Sequence, residues 1–402
     1  MNTSLTVFEN LKKAMPTKKE EAWKFTSLSD FKNISWNEHV QEFTELTHDQ
    51  MQMVSKNLPS EFYNLVFVNG ILNNTLSDEL TAQVRIENVT EADHLTNLDH
   101  VEKGILNLAS SCLKNKLLIH IKDQETFEKP LHIAFVQHTS TPQYFSEKVN
   151  IQVGQNAEVT LITEIMSLDE NTQSAHNLNV DLSVSSKARV KLIQLGVENN
   201  QSFQFSQTTV KLESDSVFQA FTMAFGSLLA RYYFHLEFSG VGADASVYGL
   251  NALNQKQHAD HYTFIQHSTG GNQSRQLYKS ILSDSSHSVF RGRVRIEKNA
   301  QKANSEQLNN NLLLTREAQA DSVPQLEIYA DDVKASHGST VGQLDKEEIF
   351  YFLSRGINQY QAVKMLAFGF AQELIYNFDN KEITDWLLKK LHQKLDGMIQ
   401  NV

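Results

Sequence analysis

One cysteine, five prolines and no long apolar run are the first marks of this 402-residue chain. With Cys112 alone, no internal disulfide can form, and no thiolate cage for a metal can be built from this chain by itself. The scarcity of proline leaves long backbone stretches free to donate to hydrogen-bonded ladders. No apolar run approaches the roughly 18 residues that a membrane-spanning helix needs. The N-terminal stretch MNTSLTVFENLKKAMPTKKEEAW lacks the uninterrupted apolar core of a secretory signal, so a cytoplasmic location is expected. Positive charge is also short. A formal net charge of −11 argues against nucleic acid as a main partner, because phosphate binding needs a concentrated basic surface. The one basic cluster, RGRVR (291–295), reads as the solvated face of a strand.

Several catalytic signatures are missing too. The glycines of GSLLARYY (226–233) and STGGNQS (268–274) lack the GKS/T ending of a phosphate loop, and there is no G-x-S-x-G elbow. The carboxylate pairs Asp331/Asp332 and Glu347/Glu348 read as solvated or capping residues.

What is present divides into three regions. Residues 1–115 read as mostly helical with a small strand pair. Leu5, Phe8, Leu11 and Lys12 suggest a first helix ended by Pro16, and Thr17 with Glu20 has the spacing of a capping box. FVNG and LNNT mark turns between strands from Leu65 to about Glu87. Ile105, Leu106, Leu108, Ala109 and Leu113 have helical spacing, which makes Cys112 a small core residue.

Residues 116–343 are dominated by period-two alternation, as in VNIQV, EVTLIT, ARVKLIQL and HLEFSG. Small residues recur just before new strands at Ala157, Ala188, Ser216 and Ala245, at intervals of 31, 28 and 29 residues. A repeat of about 30 residues made only of strands predicts a stacked solenoid, most simply a right-handed parallel β-helix. A β-sandwich would alternate as well. The fold class expected is therefore mainly β with helical ends.

Residues 344–402 return to helix, with Asp345–Glu348 and Asn358–Gln361 as N-terminal signals. Val363, Leu366, Phe370 and Leu374 share one face, and Met365, Ala367, Phe368 and Ile375 make the neighbouring faces apolar. Such a helix is buried on several sides, against the chain's own core or against a partner.

Histidines are the candidate ligands. His258, His261 and His267 lie in HADHYTFIQH, where a regular strand sends His258 and His261 to opposite faces, so a metal pair needs a bend. His337 sits beside Gly338 near the end of the alternating region, where another chain can reach it. Imidazole suits iron or zinc, but one histidine is far short of a site.

The strings AQKANSEQLNNNLLL (300–314), PQLEIYADDVKASHGSTVGQLD (324–345) and IFYFLSRGI (349–357) resemble the SufB/SufD family of iron–sulfur cluster assembly proteins, and its SufD branch in particular. Pro16, Lys19, Glu21 and Trp23 resemble the family's N-terminal pattern. The resemblance implies a β-helical core, no catalysis by this chain alone, and a heterodimer with a SufB homologue. It implies that the ABC-type ATPase SufC docks on helices between about Asp345 and Phe378, with Phe350, Arg355, Val363, Leu366, Phe370 and Leu374 as contacts. It places His337 at the SufB interface beside a transient iron–sulfur cluster or iron, with no cofactor held stably by this chain alone. Many relatives carry a cysteine two residues before that histidine; here the residue is Ala335. A homodimer of the isolated chain stays open. Three other readings remain: a SufB-like scaffold, opposed by the lack of any cysteine after Cys112; a β-helical carbohydrate-active enzyme; and a metal hydrolase using His258, His261 and His267.

Overall fold

The computed structural model describes residues 12–38, 45–79, 81–88, 103–113 and 115–399. Among the described residues, strands dominate from Tyr63 to Gln343, and six α-helices lie towards the two ends of the chain. Consecutive strands alternate between two ten-stranded sheets, so each coil contributes one strand to each sheet. The result is a parallel β-solenoid of about eight turns. Pairing is in register from coil to coil: Arg189 lies level with Glu158 on one side and Val217 on the other.

Sheet I ends with strands His287–Ile296 and Gln319–Ile328; sheet II ends with Asn304–Leu313 and Lys334–Gln343. Between them lies a core built from alternate residues, among them Val180, Leu182, Val210, Leu212, Leu236 and Phe238 from sheet I and Leu161, Val190, Leu192, Phe218 and Val247 from sheet II. The outer faces are covered as well, as parallel sheets require. On sheet I, Trp23, Phe31 and Trp36 of the N-terminal segment pack on Tyr144, Phe203 and Phe205. On sheet II, the C-terminal helices pack on Ile162, Ile193, Leu195, Phe221 and Leu250.

The corners explain the repeat of about 30 residues. At one corner of each coil a residue takes a left-handed backbone: Asn156, Lys187, Asp215, Gly242, Gly271 and Lys302. The next residue is fully buried and in most coils small: Ala157, Ala188, Ser216, Ala243, Asn272 and Ala303. The corner position is thus Ala243 and not Ala245, which the spacing suggested; Ala245 is already inside its strand, level with Phe218. Gly242 makes that turn at φ +73°, a conformation that costs glycine nothing.

Local signals at the ends are mostly kept. Asn69 and Gly70, both with positive φ, join Tyr63–Val68 to Ile71–Leu72 in a tight hairpin. Thr17 and Glu20 form half of the expected box: Thr17 N–H donates to Glu20 Oε1 at 2.9 Å, but only a 3₁₀ turn at Glu21–Trp23 follows. The helix expected around Leu5 to Lys12 lies outside the described residues, Lys12 apart. Asp345 accepts from Glu347 N–H, Asn358 from Gln361 N–H and Asn380 from Ile383 N–H, opening helices Lys346–Ser354, Gln359–Ile375 and Lys381–Met398.

Candidate functional site: the open end of the solenoid and its helices

Both sheets stop at the same end of the solenoid. Gln319–Ile328 pairs only with His287–Ile296, and Lys334–Gln343 only with Asn304–Leu313. Each therefore presents a free edge of backbone N–H and C=O groups, and most of Lys334–Gln343 is exposed. His337 lies on this last strand, level with Gln307. It shares a face with Ala335, which packs at the margin of the inter-sheet core. Because no further coil follows, that inward face is open at His337, which is exposed. Just below it, Gln307 is fully buried with neither amide atom hydrogen-bonded.

Exposed large apolar side chains gather near this end: Ile328, Tyr329, Val341, Phe350, Tyr351 and Leu353 make up half of those on the described surface. Met365 and Tyr376 are exposed further along, on Gln359–Ile375 and at its C-terminal end, where Asn377 O accepts from Gln219 of strand Val217–Ala224. Phe350 is 70% exposed and Tyr351 57%, with the Arg355 guanidinium 5.3 Å from the Tyr351 ring.

The residues expected to dock a partner separate into three groups. Phe350 and Arg355 are exposed. Leu366 and Phe370 are half-buried; Phe370 packs against the helix–sheet core, its carbonyl accepts from Lys279 Nζ at 2.9 Å, and that ammonium lies 4.8 Å from its ring. Val363 and Leu374 are fully buried against sheet II and the last helix. The face they share seats the helix on its own solenoid, leaving Met365 on the outer side.

The histidines of HADHYTFIQH are kept apart by the regular strand His258–His267. His258 points outward from sheet I, where its ring meets the Thr26 hydroxyl at 3.0 Å and the His287 ring at 4.7 Å. Burial first, then His287 and Arg231, push its pKa down to about 3. His261 points inward, with Nε2 at 2.7 Å from Asn251 Oδ1 and its ring stacked on Tyr232. His267, also inward, meets Ser274 Oγ at 2.9 Å and stacks on Phe238. Burial drives both down to about 4. All three are neutral hydrogen-bonding groups at neutral pH. Among the described residues no three His, Cys, Asp or Glu side chains come together to hold a metal. Cys112 is buried in the same cluster as Trp23, Phe31 and Tyr144.

Two buried charge clusters had no signal in the sequence. Lys390 of the last helix donates to Glu164 Oε1 at 2.6 Å on the outer face of sheet II, with His132 Nε2 3.2 Å from Oε2. Burial opposes the Glu164 charge, yet Lys390 and His132 outweigh it and hold the carboxyl below its usual range. Between the sheets, His176 bonds Glu147, and Glu198 accepts from Ser227 Oγ at 2.9 Å. Burial raises Glu198 to about 7 despite His176 nearby; burial also opposes the His176 charge, but Glu147 prevails and lifts its pKa.

A profile of the SufBD core domain of SUF-system FeS cluster assembly matches residues 135–370 of this chain. The chain is 30% identical over 394 residues to the iron–sulfur cluster assembly protein SufD of Escherichia coli K12, covering 96% of this chain and 91% of that protein. It is 26% identical over 381 residues to an iron–sulfur cluster assembly SufBD family protein of Synechocystis, covering 90% and 83% of the two. A SufD of Plasmodium berghei is 26% identical over 369 residues, which span 88% of this chain and 26% of that longer protein.

Proposed function

The chain belongs to the SufB/SufD family of iron–sulfur cluster assembly proteins, and on that premise we propose that it is a non-catalytic, SufD-like subunit of a cytoplasmic SufBCD scaffold. Its partners are a SufB homologue and the SufC ATPase. One observation carries the reading: the last strand of each sheet, Gln319–Ile328 and Lys334–Gln343, leaves its outer edge unpaired at the same end of the solenoid, and the exposed His337 stands on the second of them. An edge of this kind is a template for strands from another chain, and its backbone groups gain ladder partners when one docks. A SufB homologue ending in the same way would continue both sheets across the junction.

His337 then supplies an imidazole to iron or a nascent cluster, the substrate being assembled, while the partner supplies thiolates. Ala335 removes any thiol from this side of the junction. The SufC dock is the exposed apolar surface of Lys346–Ser354 and the outer side of Gln359–Ile375, centred on Phe350, Tyr351, Leu353 and Met365 with Arg355 beside them. Because Val363 and Leu374 tie the second of these helices to sheet II, a pull exerted there by nucleotide-driven closure of SufC is transmitted to the solenoid. Differential affinity of SufC for the two arrangements is what would shift the population.

Co-expression with SufB and SufC homologues, purification through a tag on this chain and intact mass measurement test the proposal. The expected complex holds one SufB, two SufC and one copy of this chain. Recovery of this chain alone, with both partners soluble in the same lysate, would overturn it.

A further inference from the structure

One column of inward-facing positions on sheet II changes character as it approaches the free end. In successive coils it runs Leu161, Leu192, Ala220 and Val247, each aliphatic and each buried in the core between the sheets. The last three rungs are Gln276, Gln307 and His337, in register with one another and with Val247. Neighbouring strands of a sheet stand about 4.8 Å apart, so side chains on adjacent rungs are within reach of each other.

Both glutamines are fully buried. Gln276 Oε1 accepts from Thr263 Oγ1 at 2.7 Å, while its Nε2 has no partner. Neither amide atom of Gln307 is hydrogen-bonded. Its amide lies across the core against Gly292 of strand His287–Ile296, where a Cβ would stand 1.9 Å from Nε2. Glycine at that point leaves the room the amide needs. A buried amide without partners is costly, and leucine fills the same position two and three coils deeper without that cost. Gln307 does have one polar neighbour to meet. The exposed His337 is the next rung, on a strand with no further coil over it.

The polarity of the column decides which way the amide points. Gln276 Oε1 has a second lone pair beside the one that Thr263 fills, and it suits the NH2 of Gln307. Gln307 Oε1 then faces His337, where it can accept a ring N–H. A neutral imidazole that donates through one nitrogen carries its lone pair on the other. That other nitrogen turns away from the core, towards the free edge.

We propose that Gln307 is a positioning residue for His337: its Oε1 accepts the inward ring N–H when a partner covers the open end, and this fixes the tautomer and orientation that present the outer nitrogen to iron or a nascent cluster. The inference rests on the assembly role proposed above for His337 and adds the residue that orients it.

Cobalt(II) serves as the probe, titrated into the purified complex of this chain with its SufB and SufC homologues and followed by visible absorption. His337→Ala should weaken cobalt binding. Gln307→Met keeps the length of the side chain but lacks the acceptor, and should weaken binding roughly tenfold or more. Gln307→Glu keeps an acceptor oxygen at the same reach and should retain most of the affinity. In the full chain without partners, Gln307→Met should melt at the native temperature or above it, since it removes an amide that is unpaired there. Native affinity in Gln307→Met beside weakened binding in His337→Ala would overturn the positioning role alone. Binding unaffected by His337→Ala would overturn the role of His337, and this inference with it. A lower melting temperature for Gln307→Met would make the amide a structural residue and overturn the proposal, as would equal weakening by Gln307→Met and Gln307→Glu.

Discussion

Replacing Lys390 with methionine should detach the strongest polar anchor between the last helix and the solenoid. Glu164 is wholly buried in sheet II, and its carboxylate is held by the Lys390 ammonium at 2.6 Å and the His132 ring at 3.2 Å. His132 is itself held, with Nδ1 at 2.9 Å from Asn64 Oδ1, and both it and Phe62 pack edge-on against Trp386. Methionine keeps most of the apolar stem of the lysine, so the packing loss is small. What remains is a buried carboxylate stripped of its closest counter-charge, a change that costs about 3–5 kcal/mol. The pH dependence supplies an independent check. In the native protein the Glu164 pKa is lowered, so the carboxylate contributes stability above its unfolded value of about 4.5, and that contribution is lost as pH falls through the folded value. In Lys390→Met, burial dominates and the pKa rises. The deficit should then be largest near pH 8 and shrink as acid protonates Glu164. Adding Glu164→Leu should recover part of the loss, leaving a deficit of about 1–3 kcal/mol, because it removes the stranded carboxylate but takes the partner from the buried His132 Nε2. Urea unfolding followed by circular dichroism and tryptophan fluorescence measures all three proteins. A loss below about 1 kcal/mol in the single variant, or a double variant no better than the single, would refute the argument.

Glu198→Gln probes the cluster between the sheets. With a folded pKa of about 7, above its unfolded value, Glu198 favours folding below about pH 4.5 and loses that contribution as pH rises through 7; His176, also raised, is lost in the same direction. Melting temperatures measured from pH 5 to 8 should fall with pH in the native chain and fall less in Glu198→Gln; equal slopes would contradict the assignment. His337→Ala, at an exposed position, should leave stability within about 0.5 kcal/mol but impair maturation of iron–sulfur enzymes in a strain that depends on this pathway. Full maturation would remove His337 from the proposed role. Phe350→Asp should abolish co-purification of SufC with no loss of stability, and retained SufC would place the dock elsewhere. Phe370→Asp is a poorer test, since Phe370 is half-buried and its loss would loosen the helix as well.

The solenoid was legible because its causes are local. Alternation in EVTLIT or ARVKLIQL declares a strand with two unlike faces, and the corner residues recur at the coil length because each coil repeats one backbone path. Caps at Asp345 and Asn358 act within one helical turn and were equally readable. The strings around His337 and Arg355 carried the family. Other features depend on what lies several coils away. Whether Ala243 or Ala245 occupies the corner is set by stacking on neighbouring coils, not by spacing along one. Period-two patterning could not say that both faces of each sheet are covered, nor that the greasy helix Gln359–Ile375 turns Val363 and Leu374 inward and Met365 outward. Lys390 and Glu164 lie 226 residues apart, and nothing near either one announces the other. The free edges at Gln319–Ile328 and Lys334–Gln343 exist only because no further coil is stacked there. Period, turn and cap are properties of adjacent residues and so were determined by the sequence alone. Pairing, burial and the unfilled edge are properties of elements brought together by folding, and only the tertiary structure could decide them.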